Sequence, residues 1–82
     1  MIASAQIAIY PLRQEHLAPA IEAMRQALRA HGLRPDLGPM STYVVGEDTT
    51  IFAALQDAFA RASATGHVVL TVTVSNACPI PA

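Results

Sequence analysis

The chain has 82 residues, of which 52% are hydrophobic and 13% are charged, and its formal net charge is −1. This length predicts one domain (residues 1–82) with a single modest core, because a chain of this size buries only roughly 60–65% of its unfolded surface. The near-neutral charge, with five arginines that form no basic stripe, excludes a nucleic-acid-binding surface.

The first third of the chain predicts a strand followed by a helix. Loose alternation of apolar and polar residues over Ile2–Tyr10 favours a strand that ends at Pro11. The helix begins within residues 14–18, because Pro19 is tolerated only in a first turn. Gly32 is well placed to end it. Its apolar face is spaced at helical intervals and consists of Leu17, Ile21, Met24 and Leu28.

The middle of the chain predicts two strands of unequal length. Residues 33–40 contain two prolines and a glycine, a composition compatible only with a short edge strand. Residues 41–45 form a better strand, which ends at Gly46.

The last third predicts a second helix and a final strand. Asp48 is expected to cap the helix, and Gly66 to end it. The final strand, His67–Ser75, is rich in valine and threonine, and about residues 77–82 form a loose tail. The expected buried face of the helix consists of Ile51, Phe52, Leu55, Phe59 and Ala62.

The order β-α-β-β-α-β predicts an α+β fold, a ferredoxin-like sandwich with two helices on one face of a four-stranded, antiparallel-containing sheet. The first and third strands are expected at the centre of the sheet. Strand alternation leaves a second, open face, which carries hydroxyl and amide groups but no charge. Such a face suits burial against another copy of the chain, and so does a charged fraction below the usual 25–35% of a surface.

Three short motifs lie on the predicted strands: AQIAIYPL, PMSTYVVGE and VTVSNACP. Together they resemble the family of small thiamine- and hydroxymethylpyrimidine-binding proteins, the single-domain relatives of YkoF. The resemblance runs from about Ile2 to Pro79. It implies a ferredoxin-like subunit, a homo-oligomer (dimers through the open sheet face, which can pair into tetramers) and a pocket for the pyrimidine part of thiamine. The motif positions expected to bind ligand are Gln6, Tyr10, Ser41, Thr42, Ser75 and Asn76.

Each of these residues has an alternative structural role. Gln6 lies mid-strand, where its amide contacts either a ligand or a dimer partner. Ser41 and Thr42, expected beside Gln6, are either pocket groups or ordinary strand hydroxyls. Tyr10 either lines a pocket or plugs the edge of the core.

The remaining candidates lie at strand and helix ends. Ser75 and Asn76 are either ligand contacts or turn formers. Glu47 is expected to be a turn residue and Asp48 a helix cap. If the pocket opens toward this turn, either carboxylate could instead face the thiazolium cation of the ligand.

The sequence gives no catalytic grouping, so a non-catalytic binding protein without a cofactor is expected. A single cysteine, Cys78, excludes an intrachain disulfide, and His16, His31 and His67 do not have metal-site spacing. The absence of lysine and of a phosphate-binding loop favours free thiamine or its pyrimidine over the diphosphate. No signal segment or membrane span is recognisable, so a cytoplasmic location is expected. Two alternatives stay open: a small dimeric isomerase- or oxygenase-like enzyme, and a ligand-responsive sensor or assembly module.

Overall fold

The computed structural model describes residues 1–13, 16–38 and 41–77. The predicted tail therefore lies outside the described residues, apart from Ala77. Six elements follow one another along the chain. They are β1 (Ile2–Leu12), α1 (Ala18–Ala30), β2 (Asp36–Leu37), β3 (Thr42–Glu47), α2 (Asp48–Ser63) and β4 (His67–Ser75).

The four strands form one antiparallel sheet in the order β2-β3-β1-β4. This confirms the predicted α+β architecture, with the first and third strands at its centre. β1 continues through Pro11 to Leu12, beyond its predicted end. Its pairing with β3 reaches only Ile7, so at Pro11 its one strand neighbour among the described residues is β4, and it can tolerate a residue without an N–H. β3 likewise continues through Gly46 to Glu47.

The end of α1 follows the prediction, whereas the start of α2 differs from it. Gly32 has a φ of +79°, the left-handed conformation that glycine adopts without strain, and it ends α1 as predicted. The N–H of Leu33 reaches back to the carbonyl of Leu28 at 3.0 Å, which completes a Schellman motif. At α2 the cap position is occupied by Glu47 and not by Asp48. The carboxylate of Asp48 instead accepts a hydrogen bond from the Met1 ammonium at 3.1 Å.

The core lies between the helices and one face of the sheet. Its largest fully buried side chains are Ile7, Met24, Leu28, Val44 and Ile51.

The predicted buried face of α2 was wrong at both phenylalanines. Phe52 and Phe59 are 58% and 48% exposed, whereas Ala54, Ala58 and Ala62 are buried. Alanines four residues apart let the helix backbone approach its neighbours closely, which leaves no room for a phenyl ring there. Leu17, which precedes α1, is also exposed rather than buried.

A polar cluster joins the end of α1 to the middle of α2. His31 Nε2 lies 3.1 Å from Asp57 Oδ2, and Arg61 Nε donates to Asp57 Oδ1 at 3.0 Å. The hydrogen bond from Arg61 holds the pKa of Asp57 below its ordinary value of 3.8. The contact with His31 lowers this pKa further by a smaller amount, and desolvation opposes both effects. The ionised carboxylate therefore stabilises the helix pair.

Replacing Asp57 by asparagine tests this cluster. A lowered pKa contributes stability that is present above the unfolded-state pKa and is lost as the pH falls through the folded-state value. We therefore expect Asp57→Asn to lower the free energy of unfolding at neutral pH and to differ little from wild type well below pH 3.8. Urea denaturation across this range measures the difference, with Asp36→Asn, an exposed aspartate on β2, as the control. A constant difference at all pH values would contradict the assignment.

Trimming one methyl group at the centre of β1 tests the location of the core. Ile7 is 0% exposed, so Ile7→Val should lower the free energy of unfolding by about 0.5–1.5 kcal/mol. The matched variant Ile2→Val, on the same strand at a residue 47% exposed, should stay within about 0.5 kcal/mol of wild type. Equal losses for the two variants would show that Ile7 is not the buried residue described.

Candidate functional site

The face of the sheet opposite the helices carries polar, uncharged side chains at its centre. Because side chains alternate along a strand and paired residues share a face, Gln6 of β1 lies beside Tyr43 of β3 and Thr73 of β4. Charged side chains lie at the edges of this face: Asp36 is on the edge strand β2 and Glu47 at the end of β3. Arg34, just before β2, lines a recess with Tyr43 and Val45. The predicted absence of charge therefore holds for the centre of the face and not for its margin.

A shallow depression of about 210 Å³ lies on this open face, and we refer to it as the open-face cleft. Gln6 Nε2 donates a hydrogen bond to Ser41 Oγ at 3.1 Å. Tyr10, which is half exposed, also lines the open-face cleft. Three predicted site residues are thus brought together. The full lining is Gln6, Ala8, Tyr10, Ser41, Thr71 and Thr73.

Thr42 does not join this group. The register pairs it with Ile7, whose side chain is in the core, so Thr42 points to the helix side of the sheet and is only 5% exposed. Consecutive strand residues point to opposite faces, and the expectation that both Ser41 and Thr42 lie beside Gln6 was wrong for Thr42.

A second recess, which we call the helix–sheet cleft, lies where Thr42 points. It has a volume of about 280 Å³ and opens between α1 and the sheet, at the point where β2 and β3 stop short of the end of β1. Its walls are mostly apolar, with Thr42 and Arg25 as the residues whose polar side chains lie on the helix side of the sheet. The lining consists of Ile7, Ala8, Ile9, Ile21, Met24, Arg25, Leu37, Gly38, Ser41 and Thr42.

Arg25 lines this cleft but was not among the site residues predicted from the sequence. Its Nη1 lies 3.4 Å from Glu22 Oε2, while its Nε is buried without a hydrogen-bond partner among the described residues. A buried N–H donor without an acceptor is costly, so this group is suited to a ligand that supplies one. The sequence signal was a charged residue four positions after Ile21 and three before Leu28, on the otherwise apolar face of α1.

Ser75 and Asn76 line neither cleft. The Ser75 hydroxyl accepts the N–H of Ala77 at 2.9 Å, the contact of a turn-forming serine. Asn76 Nδ2 lies 3.4 Å from the Met1 sulfur. The local contact supports the turn role for Ser75, and both residues lie at the end of the sheet away from Tyr10.

Glu47 and Asp48 lie at that same end of the sheet and also line neither cleft. Both carboxylates accept hydrogen bonds from the Met1 ammonium, at 2.9 and 3.1 Å. This contact lowers the pKa of Asp48.

A model of the YKOF-related family matches residues 2–81. The chain belongs to this family. Among curated proteins, none matches it significantly.

Solved structures show that the family fold recurs in bacteria and archaea. A Thermotoga maritima protein provisionally assigned to thiamine biosynthesis or salvage is 18% identical, with a TM-score of 0.80 over 92% of this chain and 83% of its own. A hypothetical protein from Methanocaldococcus jannascii is 17% identical, with a TM-score of 0.82 over 92% and 79% of the two chains. A Streptococcus pneumoniae protein is 22% identical, with a TM-score of 0.82 over 92% and 86%. At these identities the likeness establishes the fold.

The described residues contain no group of three or more histidine, cysteine, aspartate or glutamate side chains that could hold a metal ion. Nor is any helix in that part of the chain long and apolar enough to span a membrane. The chemistry of the two clefts is therefore that of hydroxyls, one amide, one phenol and one guanidinium.

Proposed function

We propose that the protein binds the pyrimidine of thiamine, or free hydroxymethylpyrimidine, in the helix–sheet cleft, and that it does so without catalysing a reaction. The ligand class is suggested by the resemblance of its strand motifs and by the thiamine-related assignment of the T. maritima protein of the same fold. The observation that carries the proposal is that the buried Arg25 Nε, which has no hydrogen-bond partner among the described residues, and the 5% exposed Thr42 line the same mostly apolar cleft.

The polar groups of the cleft match those of an aminopyrimidine. Its ring nitrogens accept hydrogen bonds, which the Nε–H of Arg25 can donate, and its amino group donates, which the Thr42 hydroxyl can accept. Met24 and the isoleucines of the lining provide apolar surface for a flat ring, and a thioether makes favourable contacts with aromatic rings. The open-face cleft lacks this second wall, which makes it the weaker candidate.

The charge of Arg25 sets an order among the ligands. A thiazolium cation held beside a guanidinium is repelled, so the thiazole ring of thiamine must extend through the cleft mouth. The neutral pyrimidine alone avoids this repulsion and should bind at least as tightly as thiamine. A diphosphate attached to the thiazole would lie still farther out, where the described residues form no phosphate cradle.

The polar atoms of the cleft also favour binding over catalysis. Hydroxyls and an arginine can hold a neutral ring, but they do not take a proton from it at neutral pH. The other parts of the proposal are self-association through the uncharged centre of the open face, around Gln6, and a cytoplasmic location. The single cysteine, which cannot form an intrachain disulfide, fits a reducing compartment.

Isothermal titration with hydroxymethylpyrimidine, thiamine and thiamine diphosphate tests the function. We expect hydroxymethylpyrimidine to bind at least as tightly as thiamine, and the diphosphate most weakly. Thr42→Val keeps the side-chain shape but removes one buried hydrogen bond, so affinity should fall about tenfold. The matched variant Thr73→Val, on the open face, should bind as wild type does.

Three results would contradict the proposal at different levels. Tightest binding of the diphosphate would overturn the ligand order. Loss of affinity in Gln6→Ala or Thr73→Val, but not in Thr42→Val, would move the ligand to the open-face cleft. No heat with any of the three compounds would remove the thiamine-related function.

A further inference from the structure

The guanidinium of Arg25 contacts a carboxylate on its own helix. Its Nη1 lies 3.4 Å from Oε2 of Glu22, three residues earlier in α1. The Arg25 side chain is 26% exposed and that of Glu22 is 49% exposed, so the guanidinium runs from the buried Nε to a carboxylate at the surface. Within the described ranges, Glu22 is the acidic residue that forms an ion pair with Arg25.

This contact decides which edge of the guanidinium is left available. The group is planar, its N–H donors point in fixed directions, and Nη1 lies on the edge away from the Nε–H. Glu22 therefore holds the far edge and leaves the Nε–H without an acceptor in the described part of the chain. Because Arg25 lines the helix–sheet cleft, a ligand bound there can supply the missing acceptor.

Glu22 is shared with a second arginine. Arg29 Nη1 lies 4.0 Å from the other carboxylate oxygen, Oε1. The side chain of Arg29 is 51% exposed, and this residue is not part of the cleft lining. Two cations thus compete for one carboxylate, so that the charge of Arg25 is only partly balanced.

We propose that Glu22 is a positioning and specificity-determining residue of the helix–sheet cleft. Its carboxylate holds the Arg25 guanidinium with the Nε–H edge free for a ligand, and its negative charge offsets the repulsion between Arg25 and a cationic ligand. The first role concerns the chain alone. The second rests on the proposed function, because thiamine differs from its neutral pyrimidine by a thiazolium cation.

The charge of Glu22 sets how strongly the cleft disfavours thiamine. The thiazolium of a bound thiamine extends through the cleft mouth, where the cation of Arg25 repels it and the half-exposed anion of Glu22 attracts it. Hydroxymethylpyrimidine is uncharged and lacks both interactions. A change of charge at residue 22 therefore alters the affinity for thiamine much more than the affinity for the pyrimidine.

Nitrogen-15 NMR of the ligand-free protein tests the positioning role. Glu22→Ala removes the contact at Nη1, so the Arg25 guanidinium should turn toward solvent. Its Nε–H resonance should then shift and exchange faster with water, while the circular dichroism spectrum stays unchanged. Glu47→Ala is the matched control, since Glu47 lies at the far end of the sheet and lines neither cleft. It should leave the Arg25 resonance as in wild type.

Calorimetric titration with thiamine and hydroxymethylpyrimidine tests the specificity role. Glu22→Gln removes the charge at nearly constant shape, and should weaken thiamine relative to the pyrimidine about two- to fivefold, as expected for a partly exposed charge pair. Arg29→Gln releases the carboxylate from its competing cation and should shift this ratio in the opposite direction. Both shifts should shrink in high salt. Glu47→Gln should keep the wild-type ratio.

The two measurements separate the inference from the function on which its second role rests. An unchanged Arg25 Nε–H resonance in Glu22→Ala would overturn the positioning role. An unchanged affinity ratio in Glu22→Gln would overturn the specificity role. If neither compound binds the wild-type chain, the proposed function fails together with the specificity role, and the NMR comparison of the free proteins still decides the positioning role.

Discussion

The structure depends on the pairing of β1 along both of its edges. β3 pairs with residues 2–7 of this strand and β4 with residues 4–12, so every other element is positioned from it. The alternating side chains of β1 divide the molecule in two. Ala3, Ala5 and Ile7 are buried under the helices, whereas Gln6 and Tyr10 lie on the opposite face. The two helices cover only one face of the sheet, and the described residues leave the other face open.

The unequal lengths of the strands create the helix–sheet cleft. β3 begins at Thr42 and β2 has only two residues, while β1 continues to Leu12. α1 crosses above this step, so apolar side chains from the helix and from β1 face each other across a gap. Thr42, which is 5% exposed, and Arg25, which has a buried N–H donor, both line this gap. The proposed recognition of a flat, polar-edged ring rests on these contacts, and the fold alone does not require it.

The sequence predicted the fold well because its periodicities are strong, and it predicted the site less well because contacts across elements have no local signal. Ser41 and Thr42 are neighbours, so only one of them could lie beside Gln6, and the choice depends on a register that neither strand encodes alone. Phe52 fits an apolar helical pattern as well as Ile51 does. Burial of small alanines was decided by the closeness of α2 to its neighbours, which hydrophobicity does not reveal. Arg25 was missed because an arginine at the edge of an apolar face also suits an ordinary surface position.

The most direct test of the account is a titration of ¹⁵N-labelled protein with hydroxymethylpyrimidine, followed by backbone amide chemical shifts. The account predicts the largest changes at the helix–sheet cleft, in the amides of Ile21, Arg25, Gly38 and Thr42, together with a shift of the Arg25 Nε–H resonance as it gains an acceptor. Changes confined to Thr71, Thr73 and the rest of the open face, with Arg25 unaffected, would contradict it.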